Sequence, residues 1–259
     1  MKVLEYTFET NVSFSEPVTK HDFLLRCQPG NLSCQRVMHG QVTLFPATRT
    51  SEQRDGFGNR VLMGRIAAGH DRFGFISTGL VLSGETDALE APGHAMYLKP
   101  SEFADESSAL RALSREVLSG MGSADPWAQA QALSHAVWDR MDYEPGTTDV
   151  STTASEALAL GHGVCQDYAH ILISLCRAAG IQAQYVNGLI LGHGASHAWV
   201  NVFDGDAWRG IDPTNDRVCD DGYIILSMGR DFGDCPIDSG VFRGGVTQEQ
   251  TVTVHVTTR

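Results

Sequence analysis

No stretch of this 259-residue chain is long and apolar enough to span a bilayer. Its start, Met1-Lys2-Val3-Leu4-Glu5-Tyr6, meets an acid before an apolar core of signal-peptide length can form. Cytoplasmic residence without a membrane partner is therefore the expectation. A basic excess is missing as well. The formal net charge is −12, which leaves nothing to neutralise phosphates and argues against nucleic acid or an anionic membrane as principal partner. The six cysteines (Cys27, Cys34, Cys165, Cys176, Cys219, Cys235) include no CxxC pair. In a chain this long with no secretion signal they read as free thiols, not as a disulfide framework. Repeats and low-complexity tracts are absent too. What remains is an ordinary globular composition, 42% apolar, with length enough for one large domain or two smaller ones.

Residues 1 to about 90 read as a β domain. Short apolar runs at Val3–Phe8, Phe23–Arg26, Val37–Phe45, Val61–Ile66 and Phe73–Leu82 alternate with turn signals such as Gln28-Pro29-Gly30-Asn31 and Asp55-Gly56-Phe57-Gly58-Asn59. That spacing predicts an antiparallel sandwich or barrel. The Gly- and Pro-punctuated stretch 85–100 reads as a linker. Helical patterns follow over Ser107–Leu118 and from an Asp125 cap with Pro126 in the first turn to about Met141. A third short helix opens at Thr153, with Glu156 completing a capping box. The apolar face of Cys165–Ala179 is broad enough to mark a central buried helix, ended by Gly180. Strands are expected at Ile181–Leu191, His197–Asp204 and Trp208–Asp212, making an α+β core over about 100–225. Residues 226–259 are expected as a C-terminal β segment able to rejoin either sheet.

The chemistry concentrates in three short segments: Gly161-His162-Gly163-Val164-Cys165-Gln166-Asp167, Ser196-His197-Ala198-Trp199 and Gly210-Ile211-Asp212-Pro213-Thr214. Together they offer a nucleophile, a base and an orienting carboxylate. Cys165 falls in the first helical turn, where unpaired N–H groups and the dipole favour a thiolate and a developing oxyanion. A lone cysteine is more often packing; the matching His and Asp decide against that here. With a turn at Asp204-Gly205-Asp206-Ala207, paired positions sum to 411 whether two or four loop residues are counted. His197 and Asp212 then share one face as diagonal neighbours. A three-residue loop would set them on opposite faces. The Gly-Asp centre favours the first register.

Other polar residues carry milder expectations. His162-x-x-Cys165-x4-His170 lacks a zinc spacing, so no metal or other cofactor is expected. His193 either borders the cleft or is merely exposed. Gln166 and Asp167 read as cap or dipole partners, Cys176 as packing, and Trp199 and Trp208 as core in preference to cleft walls.

Gly163-Val164-Cys165-Gln166-Asp167-Tyr168-Ala169-His170, Ser196-His197-Ala198-Trp199-Val200 and Ile211-Asp212-Pro213-Thr214 resemble the transglutaminase-like superfamily, in its bacterial branch described as cysteine proteases. The N-terminal β domain and the later Gly229-Arg230-Asp231-Phe232-Gly233-Asp234 extend the resemblance to most of the chain. It implies a papain-like α+β core whose cysteine helix packs on an antiparallel sheet carrying His and Asp. It also implies Cys165 as nucleophile, His197 as base and acid, and Asp212 as orienter. A second oxyanion donor has no counterpart that can be mapped, and the calcium dependence of animal transglutaminases does not carry over. The implied substrate is a peptide or protein bearing a peptide or carboxamide bond, attacked to form a thioester. Hydrolysis by a cysteine protease or amidase is favoured; amine transfer and a non-catalytic peptide-binding module are the alternatives. Oligomeric state is not written in the sequence.

Overall fold

Period-two burial organises the N-terminal half. In β1 (Lys2–Leu25) the side chains of Leu4, Tyr6, Phe8, Thr10, Val12 and Phe14 are buried in alternation with exposed neighbours. That alternation runs to Phe14, lapses over the exposed residues 15–17 and resumes with the opposite parity at His21, Phe23 and Leu25, so the runs expected at Val3–Phe8 and Phe23–Arg26 are parts of one strand. The computed structural model describes residues 1–122 and 125–259. Four strands follow β1: β2 (Gln35–Phe45), β3 (Thr50–Arg54), β4 (Arg60–Ile66) and β5 (His70–Ser83). The register against β5 slips between Ser13 and Val18, and Lys20 takes a φ of 51°. β1 pairs with β5 as far as Val18, opposite His70, and from His21 onward with β4. One long strand thus feeds two layers. Phe8, Phe23, Leu25, Phe73 and Phe75 fill a common core between them, with Phe8 and Phe75 edge-to-face at 5.0 Å.

The helical half opens with capped helices. In α1 (Ser108–Leu118) Ser107 caps the N–H of Leu110, and in α2 (Pro126–Arg140) Asp125 caps that of Ala128. Strand β6 (Asp142–Tyr143) leads to α3 (Ala154–Leu160), which starts with the Thr153–Glu156 capping box. Strand β7 (His162–Gly163) then enters α4 (Cys165–Ala178). Every residue of α4 from Asp167 to Arg177 is buried, because α1, α2 and α3 surround it on one side and a sheet closes the other. Gly180, with φ of 77°, ends it.

That sheet is antiparallel, in the order β12–β11–β10–β8–β13. Its members are β8 (Ala183–Ile190), β10 (His197–Phe203), β11 (Trp208–Asp212), β12 (Arg217–Val218) and β13 (Tyr223–Gly229); β9 (Gly192–Gly194) lies outside it. Only Cys219–Gly222 separate the two edge strands. An extended chain of that length reaches about 18 Å, whereas a flat five-stranded sheet is about 19 Å across. The sheet must therefore curl, bringing its edges together at that end.

The stretch expected as a C-terminal β segment divides between the two halves. β13 completes the curled sheet, while β14 (Asp238–Arg243) and β15 (Gln248–Thr258) both pair with β1. β15 also pairs with β9, so the loop that leads into His197 is an edge of the N-terminal sheet. The 85–100 stretch carries a short 3-10 turn at Ala95–Leu98 and a bridge from Leu89 to Trp208.

Candidate active site

Cys165 is presented by a turn built for one geometry. α3 ends at Gly161 with φ of 73°, and β7 then pairs in parallel with β6, setting Tyr143 opposite Gly163. Asp167, in the first turn of α4, reaches back to accept from the N–H of Val164 and from Thr148 Oγ1, each at 2.7 Å. A Cβ on Gly163 would stand 2.6 Å from Asp167 Oδ2, so glycine is what allows this closure. The outcome is a half-buried Cys165 at the positive end of a long helix.

The hairpin register is the one the turn chemistry predicts. Val200 pairs with Ile211, Asn201 with Gly210, Val202 with Arg209 and Phe203 with Trp208, sums of 411 throughout. Asp204 N–H donates to Ala207 O at 3.0 Å, and Gly205 takes the φ of 117° that closes the turn. At the far end His197 Nε2 lies 2.7 Å from Asp212 Oδ2. Since Nε2 is engaged there, Nδ1 is the ring nitrogen left for the Cys165 thiol.

Asp212 has no exposed surface, yet its carboxylate is fully served. Oδ1 accepts the backbone N–H groups of Thr214 and Asn215 at 3.0 and 3.2 Å. Oδ2 accepts Asn215 Nδ2 at 2.7 Å and the Tyr223 hydroxyl at 2.8 Å, besides His197. Burial works against its ionisation, but the bond and charge of His197, with the donors Asn215 and Tyr223, hold the carboxyl below the usual carboxylate range. For His197 the balance has the opposite sign. Burial favours the neutral ring, and hydrogen bonds and charges from Asp212 and Cys165 outweigh it, raising the imidazole to about 9. The three side chains thus form a connected group: sulfur, imidazolium and buried carboxylate.

Sequence reasoning missed Asn215 and Tyr223. Asn215 was within reach of it, because an Asp-Pro-Thr-Asn turn places its amide back on the aspartate. Tyr223 carried no such signal. Tyr143, exposed beside Cys165, was also unmarked; burial and the charge of Cys165 both raise its phenol. Trp199 and Trp208 are core residues, 1% and 2% exposed, and Trp199 lies stacked under His197 with ring centroids 6.3 Å apart. His162 lies 3.0 Å from Glu144, while His170 is buried and accepts from the N–H of Phe232, so the two histidines beside Cys165 point to different surroundings. His193 sits against His255 of β15, with 2.9 Å between their Nδ1 atoms. Cys176 is buried packing, as expected.

Residues 111–213 match the transglutaminase-like superfamily, and residues 4–82 match the bacterial transglutaminase-like N-terminal region. The resemblance read from the sequence is thereby borne out in both halves. The chain is 27% identical to an uncharacterized protein of Mycobacterium leprae over 96% of each chain. It is 28% identical to an uncharacterized protein of Mycobacterium tuberculosis, over 91% of this chain and 86% of the other. A solved structure from Cytophaga hutchinsonii, provisionally described as a cysteine protease, matches with a TM-score of 0.83 at 19% identity, covering 100% of this chain and 91% of that one. That likeness bears on fold, and it agrees with the α+β architecture of a β domain joined to a cysteine-helix core.

Proposed function

Because this chain carries a transglutaminase-like core behind a bacterial transglutaminase-like N-terminal region, we propose that it is a thiol-dependent acyl-transfer enzyme. Its nucleophile is Cys165, its acid and base His197, and its orienter Asp212. The observation that carries this reading is the 2.7 Å bond from His197 Nε2 to a buried Asp212, with the other face of the imidazole turned to a thiol at a helix start. The Cys165 sulfur attacks the carbonyl carbon of a peptide or carboxamide, forming a C–S bond. The oxyanion is received by first-turn N–H groups of α4, that of Cys165 first. His197 gives its proton to the departing nitrogen as the C–N bond breaks, leaving a thioester. Water, deprotonated by His197, then releases the acid and restores the thiolate.

Hydrolysis, as a cysteine protease or amidase, is the favoured outcome, supported by the description of the Cytophaga hutchinsonii protein. Cytoplasmic residence is proposed with it: all six cysteines are free thiols, and no helix of the described residues is long and apolar enough to cross a membrane. The test is turnover on a panel of peptides and glutamine-containing substrates, with and without a primary amine. Release of ammonia or peptide fragments, lost in Cys165→Ala, is the expected result. Products that incorporate the amine would move the assignment to transglutaminase chemistry. Binding without turnover, unchanged in Cys165→Ala, would make the fold a peptide-binding module.

A further inference from the structure

Tyr223 belongs to β13, the sheet edge opposite β12, yet its hydroxyl donates to Asp212 Oδ2 at 2.8 Å and accepts from Arg217 Nε at 2.8 Å. The curl of the sheet makes this reach possible. Thr214 and Asn215 serve Asp212 from its own turn, as any aspartate turn would provide. Tyr223 arrives from another strand and brings a guanidinium with it. Its ring also packs edge-to-face on Trp199 at 5.1 Å, the same indole that stacks under His197. Phenylalanine would make that contact equally well. The hydroxyl is therefore what needs a reason.

Three donors converge on Oδ2: His197 Nε2, Asn215 Nδ2 and the Tyr223 hydroxyl. Each takes a share of one oxygen's negative charge. We infer that Tyr223, its hydroxyl polarised by Arg217, is a positioning residue that acts through the Asp212 carboxylate, taking a share of its charge and so limiting how strongly it binds the imidazolium. The inference rests on the acyl-transfer reading of Cys165, His197 and Asp212. In that chemistry His197 must surrender its proton to the leaving nitrogen, and an imidazolium gripped too firmly is a weak acid. Burial, then the charges of Cys219 and Asp212, raise the Tyr223 phenol, so it stays protonated and remains a donor.

The charged and titratable groups around this pair are few. Cys165 of α4 and Asp212 of β11 face His197 directly. Behind Asp212 stand Tyr223 of β13, Arg217 of β12, and Cys219 and Asp220 of the connection between them. Arg217 is the cation of this set. Its side chain lies over the Tyr223 ring, 5.1 Å from the centroid, and bonds the hydroxyl, so part of its influence passes through the tyrosine, beside its direct charge interaction with Asp212.

The test titrates His197 by ring NMR in the full-length protein and its Tyr223→Phe variant, alongside melting and turnover. The expected result is an upward move of the His197 titration by about half a pH unit, the share one hydrogen-bond donor contributes. Turnover falls through kcat with KM unchanged. Arg217→Gln moves the titration the same way, and the double variant moves it by less than the sum of the two single shifts. Arg217 is exposed, so its variant carries the test if Tyr223→Phe folds poorly. A titration that stays in place or falls, or a double variant whose shift is the full sum of the two, overturns the inference. Because the titration needs no substrate, a shift seen in a protein that turns over no amide would uphold the positioning role while defeating the acyl-transfer reading.

Discussion

At the scale of single residues, pH is the sharpest probe of the site. The folded His197 lies near 9, above the 6.5 of the free side chain. Its ionic contribution to stability is therefore complete below about pH 6.5 and is lost as pH rises through 9. In the proposed reaction the imidazolium protonates the leaving group, and it disappears over the same range, so the alkaline limb of kcat/KM should fall near pH 9. Replacing Asp212 with Asn removes the charge that raises the ring. The limb should then move to lower pH, and the rate should drop by at least about tenfold; a pH–rate profile of both proteins checks this. An unmoved limb in Asp212→Asn would separate the carboxylate from the titration. Asp212 itself was readable in the sequence because strand parity is arithmetic: a two- or four-residue turn leaves His197 and Asp212 on one face. Tyr223 and Arg217 were not, since they meet Asp212 through the curl of the sheet, which no hairpin count describes.

At the scale of elements, local chemistry made the helices legible. Ser107, Asp125 and Thr153 cap where their side chains say they should. The strands were less so: β1 joins two alternations of opposite parity across a bend, and β3, all exposed, has no apolar pattern to betray it. The demand on Gly188 was also invisible. It pairs directly with His197, and a Cβ there would lie 2.2 Å from both Ile224 O and Trp199 Cη2. The added atom would press on the Trp199 indole that stacks with His197. Gly188→Ala should cost about 1–3 kcal/mol by overpacking and should disturb the site more than its size suggests. Thermal melting and iodoacetamide labelling of Cys165 measure the two effects. A variant that melts and labels like the parent would show that the close packing relaxes freely.

At the scale of the molecule, the two halves are tied through the arm that leads into His197. β9 lies between the core strands β8 and β10 in sequence, but it pairs with β15, whose other neighbour is β1. Val254, 2% exposed, stands between Phe8 on one side and Gly194 on the other. This pairing was beyond sequence reasoning, because the final strand had two sheets to choose from and equal alternation for either. It gives the β domain a role in holding the segment before His197. Val254→Pro, which removes a ladder donor from a central strand, should speed hydrogen exchange over residues 192–198 and lower turnover. Faster exchange confined to β1 and β15, with full activity, would free the arm from the β domain.

The most direct measurement is intact-protein mass spectrometry of Cys165 after brief exposure to amide and peptide substrates. The account predicts an acyl adduct as a thioester on Cys165, discharged by water, absent in Cys165→Ala and slow to form in His197→Ala. Turnover that persists in Cys165→Ala, or an adduct that forms on another cysteine and not on this one, would contradict it.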